Sequence, residues 1–272
     1  MPEQFLPYKN SMIGYYRFGD GPETLLCFHG YGENAGVFEF LAKYAGSQYT
    51  IYAIDLPFHG RTEWKEGLLF EETDLEEIVR NILDAKQVAN DLRFTLLGFS
   101  LGGRVALSLY QSRPEWVMKL ILLAPDGLKV NFWYWLSTQT LAGNKFFAFT
   151  LKHPGWFFGF LKLFNRLGLV NTSIFKFVNY YIGNKEVRNL LYARWTALRK
   201  LKPGLPTIKS LIRERGTPVN LVYGKHDRII LSSVGEKFKK GIEQQCRISV
   251  IPSGHQVLHE KHALEIMQNI EG

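Results

Sequence analysis

Ser100 stands in the run Gly98-Phe99-Ser100-Leu101-Gly102, a serine with glycine two residues away on either side. A serine hydroxyl becomes a nucleophile only when a neighbouring base takes its proton. A serine lifted onto a tight strand-to-helix turn leaves no room for side chains beside it, which is why such a turn needs Gly98 and Gly102. The bare pattern is common, but here it directly follows the apolar run FTLL and directly opens a helix-like run. Of the seven histidines, His255 follows the strand-like RISVIP through Ser253-Gly254 and is the candidate base. His59 lies in a Pro-x-His-Gly turn, His153 in an aromatic stretch, and His226, His259 and His262 beside charged residues on segments expected to be exposed. An imidazole acting as base needs a carboxylate to set its tautomer and to stabilise its charged form. Asp227, after VNLVYG, is preferred for that role; Asp126, which also ends a strand-like run, is the rival. The order serine, acid, histidine is the chain order of this elbow class. Two backbone N–H groups must also face the developing oxyanion. Leu101, just after the serine, is one candidate, and Tyr31, in the His29-Gly30-Tyr31-Gly32 loop after TLLCF, is the other.

These residues can meet only if the elements before them lie side by side. Strand-like and helix-like runs alternate through MIGYYRF, TLLCF, YTIYAI, FTLL, KLILLA, VNLVYG and RISVIP. Thr73 and Glu76 have the spacing of a capping box, ahead of Leu75, Ile78, Val79, Ile82 and Leu83 on one helical face. Residues 101–112 predict a helix that stops before Pro114. Such alternation predicts an α/β fold, a mostly parallel central sheet with helices on both faces. Ligands of open parallel sheets bind beyond the carboxyl ends of the strands. His29, Asp55, Ser100, Asp126, Asp227 and His255 all fall at such ends.

Charge divides the chain differently. The net charge of +8 conceals a segment, 127–215, with 15 Lys/Arg and two acids, Glu186 and Glu214, while the remaining residues are net acidic. Within it, residues 131–181 hold 16 aromatics and no acid. A break of this size predicts a core of residues 1–126 and 216–272, with 127–215 a helical, basic insert after the strand ending near Ala124. Its aromatics can line an acyl pocket, and its cations can meet an anionic membrane surface. No nucleic-acid motif accompanies the charge, so nucleic acid is not expected as a partner. No apolar stretch reaches membrane-spanning length, no secretory signal is visible, and two cysteines make no disulfide framework. The expectation is a cytoplasmic protein acting on a small acyl substrate without cofactor or metal.

The segments LLCFHGYGENAG, AIDLPFHGRT, LLGFSLGGRVAL, PVNLVYGKHDRI and PSGHQVLHE carry a resemblance. Residues 23–126 and 216–270 resemble an α/β-hydrolase of the group containing esterases, lipases, C–C hydrolases, thioesterases and cofactor-free haloperoxidases. The resemblance implies the triad Ser100, Asp227 and His255, with the insert as a cap over the site. Relatives that open haloalkanes or epoxides carry aspartate at the elbow, so Ser100 argues against both. Ile230 and Leu231 stand where the acid loop often has proline, a departure that touches the loop's path. The expected activity is hydrolysis of a carboxylic ester with a lipid-like or aromatic acyl part. A thioester or C–C bond in a small acid is the alternative, and a non-catalytic binding protein of this fold is the third reading.

Overall fold

A computed structural model describes residues 3–84, 92–129, 132–166 and 182–272. Its centre is an eight-stranded sheet: β1 (Gln4–Tyr8), β2 (Ser11–Phe18), β3 (Glu23–Phe28), β4 (Tyr49–Ile54), β5 (Phe94–Phe99), β6 (Val117–Leu123), β7 (Val219–Gly224) and β8 (Cys246–Ile251). The strand order is β1-β2-β4-β3-β5-β6-β7-β8. β1 and β2 are antiparallel to their neighbours, and every pairing from β4 across to β8 is parallel. β4, β5 and β7 are buried at every position, so both faces are covered and the strands read as continuous apolar runs rather than alternating ones. The α-helices among the described residues are α1 (Ala42–Ala45), α2 (Glu72–Asp84), α3 (Leu101–Ser112), α4 (Phe132–Gln139), α5 (Leu141–Lys152), α6 (Gly155–Arg166), α7 (Lys185–Ala197), α8 (Leu205–Arg215), α9 (Ser232–Lys239) and α10 (Ala263–Glu271).

Alternate strand residues serve opposite faces. Leu25, Cys27, Leu97, Phe99, Ile121 and Leu123 share one core cluster with Phe38, Leu41 and α10's Ile266 and Ile270. The residues between them, among them Leu26, Leu96, Leu120 and Leu122, are equally buried and face the other way, toward α3, which packs on β3, β5 and β6. Cys27 and Cys246 are buried free thiols, and burial pushes both well above the ordinary thiol range.

Two local readings change. β1, absent from the sequence reading, is tied to α2 by Asp74, whose carboxylate accepts from the Tyr8 hydroxyl at 2.8 Å and from Lys9 at 2.6 Å. The same carboxylate accepts the Glu71 N–H at 2.9 Å, so α2 begins at Glu72 and Asp74, not Glu76, reaches back to close its first turn. Burial pushes the Asp74 carboxyl up, but the Lys9 ammonium, the Glu71 N–H and the Tyr8 hydroxyl outweigh it and hold the group below the usual carboxylate range.

The chain divides into two compact units, one of Met1–Glu66, Phe70–Lys129 and Lys200–Gly272, the other of Gly67–Leu69 and Val130–Arg199. The charge pattern put residues 200–215 with the basic insert, whereas this division puts them with the sheet. Packing explains the difference. Ile208 and Ile212, one turn apart on α8, are fully buried, and the Gly204 N–H at the head of α8 donates to Gln111 of α3 at 2.6 Å. Two basic residues of α8 reach toward α9 instead: Lys209 donates to the Lys240 carbonyl at 2.7 Å and lies 5.6 Å from the Phe238 ring, and Arg213 donates to the Gly241 carbonyl at 3.2 Å. In the second unit α4, α5 and α7 are joined by rings: Trp195 packs 5.3 Å from Tyr134 and 5.6 Å from Phe147. No helix among the described residues is long and apolar enough to cross a membrane. Ile212→Ala should lower the unfolding free energy by about 2–5 kcal/mol in urea titration, the usual cost of truncating a buried isoleucine. A change under about 0.5 kcal/mol would detach α8 from the core.

Candidate active site

Ser100 sits between β5 and α3 with φ 50° and ψ −112°, a backbone conformation that a residue with a side chain rarely takes. Its neighbours make that turn compulsory. A Cβ on Gly102 would collide with the Phe28 carbonyl at the end of β3, and a Cβ on Gly98 would lie 2.6 Å from the Gly102 carbonyl carbon. Both glycines therefore mark a close approach of the first turn of α3 to the sheet. The strained residue is held on both sides: its N–H donates to Leu123 at 2.9 Å, and its carbonyl accepts from Gly103 and Asp126, each at 2.9 Å.

The hydroxyl of Ser100 lies 3.0 Å from Nε2 of His255. The other ring nitrogen, Nδ1, lies 2.8 Å from Asp227 Oδ2. A carboxylate accepts, so Nδ1 carries the proton and Nε2 is left as the acceptor for the serine hydroxyl. The Asp227 side chain is 0% exposed and that of His255 is 21% exposed, so the acid is dry while the imidazole keeps an open edge. Asp227 Oδ1 is satisfied by the N–H groups of Ile229, at 2.7 Å, and Ile230, at 3.0 Å. The absence of proline at 230 now has a physical reason, since a proline there would remove one of these donors. β7 and β8 are in parallel register from Val219↔Cys246 to Gly224↔Ile251, which brings the loops of Asp227 and His255 out together. Gly224 is required at this point because a Cβ would collide with the Gly254 carbonyl.

Asp126, the rival acid, is engaged elsewhere. Its Oδ2 pairs with Arg104, whose Nε is 3.1 Å away, and its Oδ1 accepts from Gly127 at 2.7 Å. Two of the other histidines have environments of their own. His259 accepts the Lys261 N–H, and His262 is buried rather than exposed as its charged neighbours implied, with burial lowering its pKa.

The loop after β3 holds Tyr31. Leu101 opens α3, and the first N–H groups of a helix have no partner within it. The loop's anchors were not read from sequence as such. His29 is fully buried; Nδ1 lies 2.8 Å from the Gly30 carbonyl and Nε2 accepts the Leu56 N–H at 3.1 Å. Buried Asp55 accepts from Ala35 at 2.6 Å and Arg61 at 2.9 Å, while burial raises its pKa. Glu33 accepts the Gly30 N–H at 3.1 Å and the Gln256 side chain at 2.8 Å, which joins this loop to the residue after His255. The ring of Phe99 lies 5.6 Å from that of His255. Among the described residues no group of three or more His, Cys, Asp or Glu converges as a metal site.

The family model of the alpha/beta hydrolase fold matches residues 23–262, and the chain belongs to that family. It is a hydrolase of this fold. It is 33% identical over 232 residues to a pimeloyl-[acyl-carrier protein] methyl ester esterase of Aeromonas hydrophila subsp. hydrophila, covering 80% of this chain and 82% of that protein. It is 25% identical over 256 residues to the hydrolase YugF of Bacillus subtilis (strain 168), covering 92% and 90%. In fold it resembles a thermophilic esterase from Thermogutta terrifontis, with a TM-score of 0.69 and 15% identity over 100% of this chain and 97% of the other. It also resembles the thioesterase domain from the curacin biosynthetic pathway, with a TM-score of 0.65 and 17% identity over 99% of each chain.

Gly102→Ala tests the close approach on which the elbow depends. Its Cβ meets backbone, which cannot swing aside, so stability should fall by about 1–3 kcal/mol in urea unfolding, as for other overpacked sites. Unchanged stability would mean that α3 does not pass so close to β3.

Proposed function

We propose that this chain is a serine hydrolase that cleaves a carboxylic ester with a lipid-like or aromatic acyl part through an acyl-enzyme. The observation that carries the reading is the continuous chain from Ser100 Oγ to His255 Nε2 at 3.0 Å and from His255 Nδ1 to Asp227 Oδ2 at 2.8 Å. In this reading Ser100 Oγ attacks the ester carbonyl carbon as its proton passes to Nε2. The carbonyl oxygen takes up negative charge facing the N–H groups of Tyr31 and Leu101, at the positive end of α3. Collapse breaks the ester C–O bond, and His255 returns its proton to the departing alkoxide. A water then gives its proton to Nε2, attacks the acyl carbonyl, and releases the carboxylic acid and the free serine. Asp227 keeps the imidazole in the tautomer both halves need. The similarity to a pimeloyl-[acyl-carrier protein] methyl ester esterase supports a carboxylic ester as substrate class.

Ser100→Ala should fold as the parent does and lose nearly all hydrolysis of p-nitrophenyl acyl esters, because the covalent route is gone. A panel of acyl thioesters run alongside fixes the leaving group. Retention of more than a few per cent of the parental rate on every substrate would sink the serine reading.

The acid is tested by comparing two isosteric changes. Asp227→Asn should cut kcat by about 10³–10⁴, the scale expected when tautomer control is lost, while Asp126→Asn should leave kcat within about threefold of the parent. The reverse ranking would move the acid to the end of β6.

A further inference from the structure

We propose that the second unit docks on the surface of an anionic lipid bilayer through the outer faces of α5 and α6. These helices turn large apolar side chains to solvent. Leu141 is 86% exposed, Phe146 is 59% and Phe160 is 54% exposed, and Phe149, Leu163 and Phe164 are also exposed. They are not scattered. Phe146 packs 5.4 Å from Trp156 across the two helices, Trp156 lies 6.0 Å from Phe160, and Phe160 lies 6.4 Å from Phe164, one ring per helical turn. The result is a continuous aromatic ridge over two helices, the kind of exposed apolar patch that marks an interaction surface.

Charge says what covers it. Lys145, Lys152, Lys162 and Arg166 are all exposed on the same two helices, and residues 131–181 contain no Asp or Glu. A hollow of about 210 Å³ adds Lys185 and Arg188 of α7 beside Lys152 and Tyr192. Helices with Phe and Trp on one side and uncompensated lysines beside them fit the lipid interface, with rings at the acyl boundary and ammonium groups among anionic headgroups. A protein partner with an acidic rim would need a complementary apolar groove; a bilayer presents both chemistries everywhere. α5 and α6 are 12 residues each, well short of the roughly 20 needed to span a bilayer, so the helices lie on the surface.

Docking of this kind involves no turnover and stands apart from the serine reading. The test is sedimentation of the full chain with phosphatidylglycerol vesicles and with phosphatidylcholine vesicles, at about 50 and 500 mM salt, which spans strong and weak screening. Binding to the anionic vesicles should exceed that to neutral ones at least tenfold at low salt and fall at least tenfold at high salt. Ser100→Ala should bind as the parent does. The triple variant Lys145→Glu, Lys152→Glu, Lys162→Glu, and separately Phe149→Ser with Phe160→Ser, should each lose at least tenfold, with circular dichroism showing that both remain folded. Negligible binding to both vesicle types at low salt would overturn the proposal, as would equal, salt-insensitive binding to both. Undiminished binding by both variants would move the surface elsewhere. Tighter binding to a single-stranded oligonucleotide than to anionic vesicles would assign the charge to nucleic acid instead.

Discussion

Where the first turn of α3 crosses the end of β3, two backbones come closer than any side chain permits, and the site is organised around that contact. Phe28's carbonyl occupies the space a Cβ on Gly102 would need, and the start of α3 occupies the space a Cβ on Gly98 would need. With the helix so close, the chain must reverse within one residue, and that residue is Ser100, at φ 50°. Backbone strain of this type costs of the order of 1–3 kcal/mol and persists only where the surroundings overdetermine it. Three backbone hydrogen bonds, to Leu123 and from Gly103 and Asp126, do so here. The strain lifts the hydroxyl above the strand ends, where a ring from the β8 loop reaches it.

The same dependence runs outward. Among the described residues no Lys or Arg pairs with buried Asp227; its carboxylate is met by two N–H groups on one oxygen and the imidazole on the other. With Oδ1 taken by backbone, only Oδ2 is left for the ring, which fixes the angle at which the ring meets Ser100. The loop of Tyr31 is fastened comparably: His29 grips the turn after β4, Asp55 holds Ala35 at its far end, and Glu33 ties it to Gln256. Each anchor is a buried or half-buried polar group whose partners are mostly backbone, so the loop's shape survives side-chain variation at its tip.

The parts of this arrangement that were legible in the sequence are those whose cause is local. FTLL followed by Gly98-Phe99-Ser100-Leu101-Gly102 announces strand, elbow and helix because each residue's constraint comes from neighbours a few positions away. Six polar residues at strand ends were legible for the same reason. What separates Asp126 from Asp227 is not local: Arg104 pairs with the first, and the register of β7 with β8 brings the second beside His255. Glu33 and Gln256 are 223 residues apart, and nothing in either segment signals the other. Charge misplaced the boundary at 200–215 because lysines record which face meets water, while Ile208 and Ile212 record what the helix packs on. His262 misled in the same way, a buried ring between charged neighbours. Residues 167–181, read as part of the aromatic insert, lie outside the described residues.

Esters and thioesters ask different things of the chain that runs from Ser100 to His255 and Asp227. A thiol ionises near pH 8.5, so a thiolate departs from a tetrahedral intermediate without help. An alkoxide is nearly as basic as hydroxide, whose parent water has a pKa of 15.7, and it needs a proton delivered as the C–O bond breaks. Only a base that is held in one tautomer, and that keeps the proton it took from serine within reach, can supply it. His255, with Nδ1 committed to a fully buried Asp227 and Nε2 3.0 Å from the serine oxygen, is held in that way. A thioester needs the base to activate serine and then water, and differs only in not needing the proton returned to its leaving group. An ester draws on both, and that demand is what the proposed ester reading asks of His255.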